Sequence, residues 1–300
     1  MRIVFFVCVL LTSGMCRKVS AQITVSTDYL TKSEMSDKEG NRYGDGSMMK
    51  YNLRASVPVS VKQNGPDQTI AWGATLKATL ATMSNNGEAI TLNPAKMLDV
   101  SVNMSHTRPL SHRWQLLLSA GVGVYANPSA ITASCILANG AVIFAYRLSD
   151  RLHVGLGGGL TNSYGVPMVL PMGYLNWQTG GRLSLTVDMA SGLKVNANAN
   201  IAPWLSLDLT AIEMDGISAV IKHEGKSRIY SSTIMRSTLC SVFKLSHHSS
   251  LYLGIGGNWR RTAQLTNRSL KGFFNSFGND AEKRHFGPSL RLTAGYSYKF

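Results

Sequence analysis

The sequence predicts an all-β protein: a membrane-spanning, antiparallel, up-and-down β-barrel of about fourteen strands, with twelve as the alternative count. Three observations predict it. Period-two alternation of apolar and polar residues recurs along most of the 300-residue chain. No apolar run after Ala21 reaches the ~20 residues that a spanning helix requires. Charged residues make up only 15% of the chain, well short of the ~25% usual for soluble domains.

The alternation is plainest at the end of the chain. Leu290, Leu292, Ala294, Tyr296, Tyr298 and Phe300 alternate with Ser289, Arg291, Thr293, Gly295, Ser297 and Lys299. Successive strand residues point to opposite faces, so one face meets an apolar surrounding and the other a polar one. The same pattern runs from Met49 to Lys62, from Thr69 to Leu80, from Leu98 to Ser105, from Arg182 to Met189, from Lys194 to Ile201 and from Leu205 to Ala211. In a membrane an open sheet edge leaves backbone groups unpaired, so such strands have to close into a barrel. A soluble sandwich or soluble barrel is the competing reading, and it needs bulky residues on the face that here carries small polar residues and Gly.

Connectors fall into two classes. Asn64–Asp67, Arg108–Arg113, Ser149–Arg151, Thr179–Gly181, Ala202–Pro203 and Ser246–Ser249 are short. Thr31–Ser47, Asn85–Lys96, Asp215–Lys226 and Asn267–Phe286 are long, as external loops of such barrels are. The strands between Pro171 and Ile201 are short, and the choice between fourteen and twelve rests on them.

Residues 1–21 read as a targeting segment. Arg2 gives a positive start, Ile3 to Leu11 is almost wholly apolar, and Val19-Ser20-Ala21 offers a small-residue cleavage site. Cys16 offers a lipoprotein acceptor as the alternative, although Met15 precedes it. Residues 22–300 then form one barrel domain. Cys135 and Cys240 remain after cleavage, and two free thiols are expected.

The formal charge of +14 raises the question of nucleic acid. Lys and Arg are scattered singly, with no basic run and no nucleic-acid motif, so no such partner is expected. By parity, the polar face carries Lys50, Arg54, Lys62, Lys77, Arg147, Arg182, Lys194, Arg236, Lys244, Arg260, Arg291 and Lys299 against the acids Asp28, Asp99, Asp188 and Asp208. Such a lumen is electropositive and, if open, favours small anionic solutes; the alternative is a barrel filled by side chains or plugged by loops.

No catalytic residues are expected. His106, His112, His153, His223, His247, His248 and His285 provide bases, but several lie in or beside turns and no Gly-x-Ser-x-Gly elbow is present. Gly121-Val122-Gly123 and Gly155 to Gly159 lie within strand-period segments and lack the Lys of a phosphate loop. No spacing suits a metal, and no cofactor is expected.

The last strand, Leu290 to Phe300, resembles the C-terminal assembly signal of bacterial outer-membrane barrels, with Tyr296, Tyr298 and Phe300 as its aromatic positions. The resemblance implies a Gram-negative outer-membrane location, outer-membrane lipid around the wall and the barrel-assembly machinery as partner. The chain also resembles the outer-membrane barrel families classed as domains of unknown function, which imply a porin-like or structural role and bring no catalytic residue. A hydrolase acting on lipid or lipopolysaccharide, and an adhesin or receptor using the longer loops, are the alternatives.

Overall fold

The computed structural model describes residues 20–63, 69–161, 168–189, 192–223, 226–267 and 284–300. The targeting segment to residue 19, the Asn64–Asp67 turn and most of the Asn267–Phe286 connector lie outside them.

Fifteen strand segments form one sheet. They are β1 (Gln22–Ser36), β2 (Arg42–Gln63), β3 (Thr69–Asn86), β4 (Lys96–Pro109) and β5 (Trp114–Ala126). Next come β6 (Ile136–Ser149), β7 (Leu152–Thr161), β8 (Met168–Gln178), β9 (Leu183–Asp188) and β10 (Leu193–Ala202). Last are β11 (Leu205–His223), β12 (Lys226–Lys244), β13 (Ser249–Asn267), β14 (Arg284–Phe286) and β15 (Ser289–Lys299). β14 and β15 both lie between β13 and β1, so they are two pieces of one wall strand and the barrel has fourteen staves. Each stave pairs antiparallel with its sequence neighbours, and β15 closes the ring on β1 from Gln22↔Lys299 to Leu30↔Arg291. The terminal Phe300 amide donates to Ala21 O at 2.8 Å.

Two of the long connectors are strand rather than loop. β1 and β2 meet around a tip at residues 37–41, and β11 and β12 continue as a ladder to His223↔Lys226. The strand pattern extends because the residues can pair across these hairpins. Asp37 closes the first tip, accepting from Asn41 Nδ2 at 2.9 Å and Tyr43 Oη at 3.0 Å. These bonds, Asn41 foremost, hold its carboxyl below the ordinary aspartate range. The Asn85–Lys96 connector is a loop, and it holds a one-turn helix, α1 (Ala89–Leu92).

The alternating pattern decides which way each strand faces. Val25, Leu53, Val102, Val122, Val142, Leu239, Leu253 and Leu292 are exposed on the outer face. Trp72, Trp114, Trp177 and Trp204 ring the end of the barrel that carries both termini, beside Tyr298 and Phe300. Amphipathic rings collect at that level where a hydrocarbon belt meets water.

The wall is uneven in height. β1, β2 and β3 have 15, 22 and 18 residues, and β11, β12 and β13 have 19 each. β7 to β10 have 10, 11, 6 and 10. The surplus length of the tall side lies at the end away from the termini.

Gly44 marks a point where backbone geometry is exacting. Its φ is +117°, and an added Cβ would run into Asn86 O of β3. Gly44→Ala is expected to cost more than about 1 kcal/mol, since Ala is strained at positive φ and the neighbouring carbonyl has to move. The midpoint of urea unfolding in lipid vesicles, compared with wild type, measures it.

Candidate functional site: a polar chamber beneath a folded-in hairpin

Inside the wall, burial changes systematically with height. On β15 the inward positions run from Arg291 and Thr293, both buried, through half-buried Ser297 to exposed Lys299. On β2 they run from buried Met48 and Lys50 to half-buried Asn52 and exposed Arg54. The interior is therefore a chamber open toward the termini and closed above its middle.

What closes it is the upper part of β11 and β12. β11 pairs with β10 only as far as Leu193↔Met214. β10 begins at that rung, so β11 extends past it, and its edge meets the upper end of β5 at Val220↔Ala126. Both faces of the hairpin are covered. Ile217, Ala219, Tyr230 and Ile234 pack with Leu30, Met35, Met48, Met97 and Phe286 in one apolar cluster. Val220 and Ile229 pack with Ala126 and Cys135 in another. Tyr230 Oη donates to Asn93 Oδ1 at 2.5 Å, which ties the hairpin to the loop that carries α1. A strand whose two faces are both buried reads as a mixed apolar run, and Ile217 to Ile221 is such a run.

Below the hairpin lies a lattice of charges. Asp28 accepts from Arg291 Nη2 at 2.5 Å, and Arg291 also reaches Thr238 Oγ1. Arg236 donates to Glu213 at 2.8 Å and to Asp215 at 2.9 Å, and Asp215 pairs with Lys50 of the opposite wall at 3.3 Å. In this lattice the cations Lys50, Arg236 and Arg291 match the anions Asp28, Glu213 and Asp215 one for one. Pairing of this kind is what allows buried charge at all.

The basic surplus lies nearer the open end. Arg54 and Lys77 are direct cross-strand partners on the inward face, with Ser56 and Thr75 paired on the next inward rung. Lys244 Nζ donates to Asn200 Oδ1 at 3.0 Å, and Lys299 stands at the rim. Asp188, Lys194, Glu213 and Arg236 form one cross-strand row of alternating charge over β9 to β12. Asp208 faces Asn198 and Cys240. Asp99 is inward on β4 and accepts from the Ser218 amide of the hairpin. Arg147 pairs with His153 near the turn that joins β6 to β7, and Arg182, in the turn before β9, donates to Ile201 O at 3.4 Å.

Bulges move two basic residues off the inward face. A register shift between Pro58 and Ser60 sets Lys62 opposite Ile70, on the face of exposed Trp72. A shift between Met235 and Arg236 sets Arg260 opposite Met235 on the outer face, while Arg261 is turned in and 2% exposed. An extra residue in one strand reverses the parity of everything beyond it, which strict alternation misses. Glu213, Asp215 and Arg261 are the interior charges that alternation overlooked. The bulge between Thr210 and Glu213 hides the acids, and Asp215 stands where a loop was expected.

Among the described residues, Cys135 and Cys240 are free thiols. His106 stacks on Trp72 with ring centroids 4.1 Å apart, and His248 Nδ1 lies 3.0 Å from Lys299 O, so each ring serves the wall or a turn. Among the described residues no group of His, Cys, Asp and Glu is arranged to hold a metal.

A family model follows this chain over residues 17–299, nearly its whole length. The chain belongs to the DUF6268 family. The family is described as a domain of unknown function. No curated protein matches the chain in sequence. Among solved structures it is similar to the translocator domain of the autotransporter NalP from Neisseria meningitidis, with TM-score 0.36 and 12% identity over 100% of this chain and 94% of that one. It is also similar to the P. putida toluene transporter TodX, with TM-score 0.38 and 9% identity over 95% and 90%. The outer-membrane protease OmpT from Escherichia coli is a third, with TM-score 0.27 and 10% identity over 97% and 100%. No residue role follows from likeness at this level.

Proposed function

We propose that this protein is an outer-membrane barrel that takes small anionic solutes into the basic chamber on its terminal side. The observation that carries this reading is the Arg54–Lys77 pair. Two like charges set directly opposite each other on one sheet face repel, and the wall tolerates them at a cost. Asp188 of β9 offsets the Lys77 charge in part, and an anion held between Arg54 and Lys77 removes the rest of that cost. Arg54 offers a planar fork suited to carboxylate or phosphate, and Lys77 a point charge. The Ser56 and Thr75 hydroxyls, hydrogen-bonded to each other at 3.2 Å, stand beside them, and the one that accepts in that bond keeps its proton to donate. The exposed apolar belt and the ring of aromatic residues at the terminal end support a lipid surrounding, and the terminal Phe supports insertion by the barrel-assembly machinery.

Titration calorimetry of the detergent-solubilised protein with citrate as the probe tests the reading. Binding is expected at low ionic strength, weakening as salt screens the chamber. Arg54→Gln combined with Lys77→Gln is expected to weaken it about tenfold or more, since each charge-assisted hydrogen bond is worth roughly 1.5–3 kcal/mol. Wild-type protein that takes up no citrate, or a double variant that binds as tightly as wild type, defeats the proposal.

A further inference from the structure

We infer that the β11–β12 hairpin beyond Met214 is a hinged plug, and that swinging it away from β5 converts the one-ended chamber into a through-pore. This rests on the reading above only for the identity of what passes.

The hinge is built into the wall. Three register shifts fall at one height: between Val195 and Asn196 in the β10–β11 ladder, between Thr210 and Glu213 in β11–β12, and between Met235 and Arg236 in β12–β13. The first two are one extra residue of β11, at Ala211–Ile212, met from either side, and the third is an extra residue of β13 at Trp259; a bulge bends its strand and increases local twist, so two at one level fold the strands above them inward. The bend is secured from the outer face. Trp259 Nε1 donates to Ser237 Oγ at 2.9 Å, and Ser237 Oγ donates to Ala211 O at 2.6 Å, which satisfies a carbonyl displaced by the bulge.

The plug is held to the far wall almost wholly by side chains, through its two apolar clusters, the Tyr230–Asn93 hydrogen bond and the Lys50–Asp215 ion pair, whereas its root is held by backbone ladders. Below the hinge β11 is flanked on both sides, by β10 and by β12. Above it, the backbone pairing with β5 among the described residues is one bridge, Val220↔Ala126, with the Ser218 amide on Asp99 beside it. The packing is also incomplete. Arg261, 2% exposed, has no carboxylate partner among the described residues; it donates to Gly46 O at 3.3 Å and lies 3.6 Å over the Phe286 ring. Its Nη1 and the Oδ1 of buried Asn258 find no partner among the described residues. An orphaned buried polar group costs free energy that an open state, with water reaching it, recovers. Apolar clusters on both hairpin faces favour closure and these buried polar groups oppose it, which is how a two-position element is made. A barrel of this strand number encloses more space than wall side chains alone fill, so removing the hairpin leaves a passage.

Planar-bilayer conductance tests the plug directly. Gly216 and Thr233 are cross-strand partners, so an Asn-Gly turn can replace Ile217–Ser232 and shorten the hairpin at that rung. The shortened barrel, its folding checked by circular dichroism and heat-modified gel mobility, is expected to raise the open fraction about tenfold or more over the full-length chain. The converse variant carries Ala126→Cys and Val220→Cys with Cys135→Ala and Cys240→Ala. Oxidation is expected to silence it and reduction to restore current. A folded, shortened barrel that conducts no more than the full chain overturns the inference, and so does a cross-linked chain that conducts no less than its reduced form. Should shortening prevent folding, the cross-linked pair decides, because it keeps the hairpin whole. Citrate binding that persists in a chain failing these tests removes the plug and leaves the anion chamber standing.

Discussion

Replacing Arg236 with Met is expected to cost about 3–5 kcal/mol, the range found when one partner of a buried ion pair is removed. Arg236 is 5% exposed and serves two carboxylates, Glu213 at 2.8 Å and Asp215 at 2.9 Å. Without it, Glu213 loses the cation that donates to it at 2.8 Å, and among the described residues Asp215 keeps Lys50 of the opposite wall as its ion-pair partner. The charges repel in a region that water reaches poorly. Urea unfolding in lipid vesicles, followed by tryptophan fluorescence, measures the loss. A companion variant makes the reading specific: adding Glu213→Gln to Arg236→Met is expected to recover part of the stability, since it removes one of the stranded charges. Equal stability of wild type and Arg236→Met would mean that the lattice contributes nothing to the fold.

Phe286→Ala is expected to have an effect of similar size, about 3–5 kcal/mol for a fully buried aromatic ring. Phe286 is 0% exposed and ends β14, between β13 and β1, in the same apolar cluster as Ile217, Tyr230 and Ile234 of the hairpin. Its ring is also the surface on which the Arg261 guanidinium rests. Truncation opens a cavity and strips a buried cation of its aromatic partner together. Hydrogen exchange is the informative probe here. Protection is expected to fall at Ile217 to Ile221 and at Ile229 to Ile234, while the lower ladder of β15 with β1 stays protected. Uniform loss over the whole barrel would mean that the hairpin and the wall are one cooperative unit, not a plug on a frame.

The terminal strand shows how far local pattern reaches. Leu290 to Phe300 alternates without interruption, and its face assignment follows from a period of two and nothing else. The ladder from Gln22↔Lys299 to Leu30↔Arg291 has no bulge in it, so Arg291 points inward as the alternation requires. The fourteen-stave count was also within reach, because even the short segments between Pro171 and Ile201 keep their alternation. Lys62 and Arg260 show where pattern stops. Each lies just past a bulge, and a bulge leaves no fixed mark in the sequence: it arises where two strands of unequal contour meet.

The sequence by itself determined the all-β wall, its apolar outer face and the strand that closes it, because each of these depends only on which residues alternate with which. The tertiary structure alone decided that the interior is closed above its middle. That closure depends on Val220 meeting Ala126, on Lys50 meeting Asp215 across the lumen and on two bulges, in β11 and β13, sharing one height. These are contacts between residues far apart in the chain, and local periodicity carries no information about them.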